Sequence, residues 1–261
     1  MKKTLLMLIV SVFAITVNAQ SKWNLGIQLG ASGNHSQFSS GMTDANALFS
    51  ATSYGAGHIG FLARRGISSH FSLQSGIGFS SVGFAYRIAE DYSLLKTTEC
   101  SGNELRVGTC ITRVPVSLIY NSNLNCKNIR FIAGIGFAVG FVDTKWNTEV
   151  MNTVEGGELG NTAASVMKTQ VRSTNNANGS FTTMLGVEKV FSRGNMLSLT
   201  FEGNWGFNKI AESTVNYTVD NKNYNHTFSN SGSYCGVALT YYFLPAGSQQ
   251  AGRNLPPNLV Q

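Results

Sequence analysis

Charged side chains are scarce in this chain of 261 residues, at 12% of the sequence against about 25% in an average soluble domain. Lys and Arg number 19 and Asp and Glu 13, which gives a formal net charge of +6. That excess is small and spread along the chain, whereas a nucleic-acid-binding surface needs a concentrated basic patch. The charge content therefore excludes nucleic acid as an expected partner.

Long apolar runs are also missing, because beyond the N-terminus no stretch approaches the roughly 20 apolar residues of a membrane helix. At the N-terminus, Lys2 and Lys3 precede an apolar run over residues 5–17, and a small-residue pattern ends at Ala19. We interpret residues 1–19 as a signal peptide that is cleaved after Ala19. Its removal leaves 17 basic and 13 acidic residues, a net charge of +4. The mature chain is then exported.

Proline is rare, with 4 residues, while Gly (28), Phe (16) and Tyr (9) are abundant, as expected for a β protein in contact with an apolar phase. The segment 129–143 has the clearest pattern, because it alternates with a period of two. One face carries Phe131, Ile135, Phe137 and Val139, and the other is mostly Gly and Ala. Bulky apolar groups outside and small groups inside are typical of a narrow transmembrane barrel.

The same alternation predicts eight strands of about ten residues or more, the length needed to cross a bilayer at a tilt. Their predicted ranges are 22–31, 53–65, 71–87, 108–120, 129–143, 180–191, 196–208 and 231–243. An apparent change of phase near Ser80 and Ser81 predicts a bulge, and Pro115 predicts a local break in the hydrogen-bond ladder. The fold class is all-β: an eight-stranded, antiparallel, up-and-down transmembrane β-barrel over residues 20–243, followed by a flexible tail, 244–261.

The connections between these strands alternate in length. Four are long, and we expect them to be polar loops: 32–52, 88–107, 144–179 and 209–228. The other three are short turns. Outer-membrane barrels show this asymmetry, with short turns in the periplasm and long loops outside the cell. The pattern therefore predicts a monomeric, porin-like barrel in the outer membrane.

Several segments carry a resemblance to a known family. They are GAGHIGFLARR (55–65), RVPVSLIYN (113–121), FIAGIGFAVGF (131–141) and LSLTFEGNWGF (197–207). Together they resemble the outer-membrane β-barrel domain family of the Bacteroidetes type, OmpX-like or PorT-like in layout. The resemblance covers most of the mature chain. It implies the fold and the location, and it implies no particular chemistry.

Charged residues on inward positions form the first candidate site. The strand phases place five of them inside the barrel: Arg64, Arg113, Arg130, Glu188 and Glu202. An eight-stranded barrel is filled by side chains, and a buried ion needs a partner or water. We therefore predict a structural Arg–Glu network that supports the barrel wall, with a proton or ion pathway as the alternative.

Other candidate sites concern cysteines and the last strand. Cys100 in the second long loop and Cys110 at the outer end of the fourth strand allow one disulfide clip, which would stabilise by roughly 2–4 kcal/mol. Cys126 lies in a short turn and Cys235 on the lipid face, so those two are not expected to meet. Tyr241 and Phe243 give the last strand the aromatic end by which barrels are recognised for insertion.

No enzymatic site is expected. The histidines at 35, 58, 70 and 226 are not spaced with a nucleophile and an orienting group, and no Cys/His pair has metal-ligand spacing. We therefore predict no cofactor, metal or catalytic residue. The expected partners are outer-membrane lipid, the barrel-insertion machinery and an extracellular or envelope protein bound through the loops. The expected role is accessory, adhesive or envelope-supporting.

Two other readings stay open. The first is a lipid-modifying barrel enzyme in the outer membrane, which would need a catalytic set that includes one of the histidines. The second is a secreted soluble β-barrel that binds a small apolar ligand. The second needs an apolar interior, whereas the inward positions are rich in Gly, Ser, Asn, Glu and Arg.

Overall fold

A computed structural model of the chain describes most of its residues. The described residues are 23–34, 37–38, 49–52, 54–88, 92–94, 100–101, 104–123, 127–142, 147–156, 165–191, 194–219 and 222–244. The predicted signal peptide (1–19) and the tail beyond Leu244 lie outside them. Regular secondary structure within these ranges is β-strand throughout. No helix in this part of the chain is long and apolar enough to cross a membrane.

The strands are numbered in chain order. They are β1 (Trp23–Asn34), β2 (Gln37–Phe38), β3 (Phe49–Thr52), β4 (Tyr54–Gly66), β5 (Phe71–Ile88), β6 (Tyr92–Leu94), β7 (Cys100–Ser101), β8 (Glu104–Asn121), β9 (Ile129–Val142), β10 (Asn147–Gly156), β11 (Ser165–Ser173), β12 (Ala177–Val190), β13 (Met196–Gly206), β14 (Ala211–Val219), β15 (Lys222–Asn230) and β16 (Tyr234–Phe243). Eight of them form a barrel: β1, β4, β5, β8, β9, β12, β13 and β16. Each pairs antiparallel with the next along the chain, and β16 pairs back with β1 from Leu25–Phe243 to Asn34–Tyr234. The sheet is therefore closed, and the predicted fold class is confirmed.

The alternation of side chains holds around the whole barrel. Large apolar side chains on each of the eight strands are exposed on the outer face, for example Ile135 at 57% and Phe137 at 63%. The residues between them point inward, and Ala138 is only 3% exposed. Gly136 faces inward with a Cβ position 2.3 Å from the Val116 carbonyl oxygen, so only glycine fits there. The small residues on this face let neighbouring strands and interior side chains approach closely.

The ladder between β5 and β8 is interrupted at the proline. It runs from Phe71–Tyr120 to Ser75–Val116 and resumes at Gly78–Arg113, so that Pro115 has no ladder partner on β5. Proline lacks the N–H that this ladder needs. The Ser75 hydroxyl bridges the gap by donating to the Pro115 carbonyl oxygen at 2.9 Å. The predicted local break is present, and on its other side Pro115 pairs with Ala138 of β9.

The bulge predicted at Ser80 and Ser81 is wrong. The β5–β8 register is the same on both sides of these residues and continues to Arg87–Glu104. The apparent change of phase has another cause, since Val82, Phe84 and Tyr86 lie on the same inward face as Ser80 and are buried. The interior changes from polar to apolar at this height. An extra residue does lie in the segment that pairs with β5 on its other side. The register passes from His58–Ser80 in β4 to Thr52–Ala85 in β3, so six positions of that segment oppose five of β5.

The four long connections are not simple loops, which corrects the prediction. Parts of all four form a second antiparallel sheet with the order β2–β15–β14–β11–β10–β6. Short strands β3 and β7 add to the barrel sheet by pairing with β5 and β8. The predicted loops contain alternating β-branched and aromatic residues, such as 211–219 (AESTVNYTV), which favour strands. We call the end of the barrel that carries this sheet the long-connection end, and the other the short-connection end.

Candidate functional site

The five charged residues expected inside the barrel all lie on inward positions, but they fall into three separate groups rather than one network. Arg64, Arg130 and Glu188 meet near the short-connection end, and we call them the Arg64 cluster. Glu202 lies further along the lumen with His58 and Gln28, and we call these three the Glu202 cluster. The two clusters have no ion pair between them among the described residues. Arg113 stands apart from both clusters, bound to Ser80 and Gly232, and has no ion pair with Glu202 among the described residues, so a single Arg–Glu network is not formed.

The Arg64 cluster is centred on a carboxylate with no solvent exposure. Arg64 Nη1 donates to Glu188 Oε2 at 2.6 Å, and Arg130 Nε donates to Glu188 Oε1 at 2.7 Å. Arg64 also donates to the side-chain oxygen of Asn121, and Asn121 Nδ2 donates to Ser72 Oγ at 2.9 Å. Both carboxylate oxygens are thus paired, which a buried ion requires. The cluster joins β4, β8, β9 and β12 across the lumen.

Packed side chains close the barrel beside this cluster. Tyr242, Leu62 and Met196 form a buried apolar group, and the Arg64 guanidinium lies 5.6 Å from the centre of the Tyr242 ring. The Tyr242 hydroxyl donates to Gln74 Oε1 at 2.5 Å. Arg64 and Tyr242 are almost fully buried, at 1% and 3% exposed. The short-connection end of the lumen is therefore filled by side chains.

The Glu202 cluster uses neutral donors more than ionic ones. Gln28 Nε2 donates to Glu202 Oε1 at 2.7 Å, and Thr200 Oγ1 donates to the same oxygen at 3.1 Å. His58 Nε2 lies 3.8 Å from Glu202 Oε2, which is beyond a hydrogen bond. Alternation along the strands predicts Gln28, His58, Thr200 and Glu202 on the inward face, although Glu202 alone was a candidate site residue. That Gln28 of β1 and Thr200 of β13 bind Glu202 is shown only by the structure.

Arg113 has its own set of partners. It donates to the Ser80 hydroxyl, and its Nη2 donates to the Gly232 carbonyl oxygen at 3.1 Å. The guanidinium also lies 4.8 Å from the centre of the Tyr234 ring. Gly232 has φ +73°, a conformation that glycine adopts readily and that turns its carbonyl into the lumen. Asn204 Nδ2 donates to the same carbonyl at 3.0 Å.

A cavity of about 70 Å³ separates these groups in the middle of the barrel. Its lining includes His58, Arg113, Glu202 and Tyr234, and both ring nitrogens of His58 are buried without a hydrogen-bond partner in the structure. The side-chain oxygens of Thr182 and Asn204 are also buried without a hydrogen-bond partner in the structure. A polar cavity of this size has room for a few ordered waters, and it is too small for a substrate of ordinary metabolite size.

Apolar side chains close the long-connection end. Phe84 and Tyr86 stack at 6.2 Å, and the Tyr86 ring meets Phe228 of β15 edge-on at 5.0 Å. All three of these side chains are fully buried. Further buried apolar residues of this group are Val82, Val107, Ile111, Ile210 and Val215. The second sheet thus contributes directly to the closure of the lumen. The sequence prediction of loops did not include this layer.

Asparagines form most of the other interior contacts that sequence reasoning missed. Asn178 Nδ2 donates to the Ser231 carbonyl oxygen at 2.6 Å, and its Oδ1 accepts from the Asn208 amide at 3.1 Å. Asn230 Nδ2 donates to the Gly83 carbonyl oxygen at 2.7 Å. These amides tie the start of the second sheet to the barrel rim. Asn178 lies in a segment predicted to be a solvated loop, which is wrong for this residue because it is buried.

The predicted disulfide clip is not formed in the structure, where Cys110 is a free and exposed thiol. The side chain of Cys100 lies outside the described part of the chain, but its backbone pairs with Leu105. Leu105 and Cys110 are five residues apart on β8, which is about 16 Å along a strand. A disulfide needs Cα atoms within about 7 Å. The clip between Cys100 and Cys110 gains no support and stays a prediction.

The remaining candidate residues lie where alternation puts them. Cys235, Tyr241 and Phe243 are exposed on the outer face of β16, and Cys126 lies outside the described residues. His226 and Ser229 lie on β15 at a separation that places them on opposite faces of the strand. Within the described ranges, no three His, Cys, Asp or Glu side chains group as metal ligands.

Comparison with known proteins gives structural matches alone. No protein-family model and no curated protein sequence matches the chain. The outer membrane protein OprG from Pseudomonas aeruginosa has 9% identity and a TM-score of 0.41, with 87% of this chain and 99% of that chain covered. For AlkL, solved in DMPC bilayers, the identity is 12% and the TM-score 0.40, over 87% of this chain and 92% of that chain.

A major outer membrane protein from Thermus thermophilus is a third match, with 8% identity and a TM-score of 0.37. Its alignment covers 84% of this chain and 99% of that one. All three are outer-membrane proteins by description, and at these identities and scores nothing about the function of this chain follows from them. The narrower resemblance to a Bacteroidetes-type, OmpX-like or PorT-like barrel stays a prediction. The fold itself follows from the closed ring of strand pairings in this chain.

Proposed function

We propose that this protein is an integral outer-membrane β-barrel whose barrel is a closed scaffold and whose second sheet binds a partner outside the cell. One observation carries the location: a continuous belt of exposed apolar side chains on all eight barrel strands. Its members include Leu29, Phe61, Ile135, Phe137, Leu199 and Phe201, each more than half exposed. A soluble protein rarely exposes so large an apolar surface. Lipid is the solvent that this surface fits.

The filled lumen supports a role without transport. The Arg64 cluster and Tyr242 close one end, the apolar layer around Phe84 and Phe228 closes the other, and the cavity between them is about 70 Å³. Eight strands leave an interior just wide enough for side chains. No group in the described part of the lumen combines a nucleophile with an oriented base, so we propose no catalytic activity and no cofactor.

The second sheet is the surface left for recognition. Binding residues commonly lie on segments that a rigid scaffold holds in place. Here that support is extensive, because Asn178 and Asn230 bond to backbone carbonyls at the barrel rim and Phe228 packs into the barrel. We propose an accessory, adhesive or envelope-supporting role for this sheet. Insertion would use Tyr241 and Phe243 at the end of β16 as the recognition signal for the insertion machinery.

Fractionation of cells tests the location. The mature protein should be recovered with outer membranes and should run faster on a gel before boiling than after it, because a folded barrel resists detergent. In planar bilayers, the purified protein should give no steady large-conductance channel. Recovery in the soluble secreted fraction would overturn the proposal of a membrane barrel. Release of acyl chains from lipid A that depends on His226 or His35 would instead establish the lipid-modifying enzyme.

A further inference from the structure

The two ends of the barrel carry opposite charge. The short-connection segments 64–71, 121–130 and 188–196 contain six basic residues and one acidic residue, Glu188, a net of +5. The four long connections, counted as 32–53, 88–107, 143–179 and 209–230, contain seven basic and eleven acidic residues, a net of −4. Glu188 is buried between Arg64 and Arg130. The surface of the short-connection end is therefore basic, and Lys127 and Lys189 are both exposed on it.

An apolar groove lies on the outer face of the barrel next to this basic end. Ala133 of β9 forms its floor, because the residues paired with it on either side are the larger Tyr120 and Leu185. Leu118, Ile135 and Phe71 complete the walls, and the groove has a volume of about 490 Å³. One small residue among large neighbours thus leaves a depression in the apolar belt.

The wall of the groove nearest the basic end is held by ring contacts. Phe71 meets the Tyr120 ring edge-on at 5.7 Å, and His70 stacks on the same ring at 6.1 Å. His70 Nε2 lies 3.1 Å from Asn123 Oδ1, which fixes the imidazole to the next turn. A groove with an ordered wall binds a flexible chain with a smaller entropic cost.

Two lysines, Lys189 and Lys127, lie beyond the groove toward the short-connection end. Lys189 is four residues beyond Leu185 on β12, which is about 13 Å along a strand. It pairs with Ile129, and the Val190 amide donates to the Asn128 carbonyl oxygen at 2.9 Å. Lys127 immediately precedes Asn128 in the chain. The groove and the two lysines therefore lie along the same pair of strands, β9 and β12.

We propose that this groove is a binding site for one anionic phospholipid of the periplasmic leaflet. One acyl chain would fill the depression over Ala133, and the headgroup phosphate would bind Lys189 and Lys127. This inference rests on the proposed location in the membrane. An anionic lipid is the occupant that fits, because the groove lies inside the apolar belt and the outward positions of β9 and β12 lead from it toward Lys127 and Lys189 with no acidic residue between.

Native mass spectrometry of the full mature protein tests the site, with micelles that contain equal amounts of phosphatidylglycerol and phosphatidylethanolamine. The wild type should retain one phosphatidylglycerol in preference to phosphatidylethanolamine. Removing both charges, Lys127→Gln with Lys189→Gln, should lower that preference by about fivefold for each lysine. Lys209→Gln, an exposed lysine at the long-connection end, is the matched control and should leave it unchanged.

Filling the groove tests the acyl-chain contact separately. Ala133→Leu should abolish the single retained lipid, whereas Ala31→Leu adds the same bulk at an exposed outward position of β1 and should not. Heat-dependent gel mobility of each sample reports whether the barrel is folded. A folded barrel that shows no preference for phosphatidylglycerol, or that keeps its lipid in Ala133→Leu, overturns the site and leaves the proposed function intact. A chain that never inserts into bilayers overturns both.

Discussion

Arg64 Nη1 donates a hydrogen bond to Glu188 Oε2 at 2.6 Å, although the two residues stand 124 positions apart in the chain. Neither side chain has appreciable solvent exposure, at 2% and 0%. The contact crosses the lumen between strands that are not neighbours in the sheet. It therefore depends on closure of the barrel and reports on that closure more directly than any ladder hydrogen bond does.

Removal of the Glu188 charge should destabilise the barrel strongly. Glu188→Gln leaves the buried Arg64 and the partly buried Arg130 guanidinium groups without their anion, and breaking a buried pair in this way costs about 3–5 kcal/mol. Urea unfolding of the protein in lipid vesicles measures the loss. Glu212→Gln is the control, because Glu212 pairs with the exposed Arg172 at 3.2 Å and such pairs contribute about 0–1 kcal/mol. Equal effects of the two variants would contradict a central role for the Arg64 cluster.

Arginine on the outer belt should block stable insertion. Ile135→Arg or Val139→Arg places a charge on the proposed lipid face, at a cost of about 2–4 kcal/mol near the bilayer centre. Folding yield into vesicles, read by heat-dependent gel mobility, measures the effect. Asn147→Arg lies beyond the belt, on β10, and should insert like the wild type. Ala138→Arg points inward and should fail through crowding, in detergent as well as in lipid. Normal insertion of the Ile135 and Val139 variants would show that the outer face is not in contact with lipid.

Two inward glycines should differ in their tolerance of a methyl group. A Cβ at Gly136 would lie 2.3 Å from the Val116 carbonyl oxygen and 2.7 Å from the Ser117 Cα, so that β8 and β9 must move apart. Overpacking of this kind costs about 1–3 kcal/mol. A Cβ at Gly78 has its nearest neighbour, the Ile59 carbonyl oxygen, at 3.8 Å. Gly136→Ala should therefore lower the urea midpoint, while Gly78→Ala should not. The reverse order would show that the strand register is different.

The thiol of Cys110 should react with a membrane-impermeant maleimide in the folded protein, since it is free and exposed on β8. Peptide mapping after labelling identifies the modified residue, and Cys110→Ser provides the blank. The same labelling also tests whether the predicted disulfide between Cys100 and Cys110 forms. If Cys110 becomes reactive only after reduction, and non-reducing maps join it to Cys100, the clip is present and β7 must shift along β8 away from Glu104 and toward Cys110.

Replacement of the β14–β15 hairpin by a short turn should separate the scaffold from recognition. The variant should delete residues 212–227 and keep Phe228, which packs against Tyr86, and Asn230, which bonds to the Gly83 carbonyl. Barrel folding should survive, since surface connections change closure entropy only slowly with length. Attachment of cells to a surface or partner should be lost. Retained attachment with a folded barrel would move the binding role away from the second sheet.

Much of the barrel follows from the sequence for a local reason. Whether Phe137 points out and Ala138 points in depends on alternation along one strand, which a period of two records directly. The limits of the barrel strands were predicted to within a few residues, as in the case of β9 (Ile129–Val142). The largest error is the second sheet. Polar alternation in 165–173 and 211–219 carries a weak strand signal, and these strands become stable only by pairing with one another.

Pleating assigns every strand residue either to the lumen or to the outer face, so local alternation is enough to predict that side. Which interior groups meet depends instead on how the strands are arranged around the barrel. Glu188 binds Arg64 and Arg130. Arg113 binds Ser80 and Gly232, and Glu202 accepts hydrogen bonds from Gln28 and Thr200. Those choices depend on the stagger of eight strands around a closed ring. Stagger is set by pairings between distant segments, and no local pattern contains it.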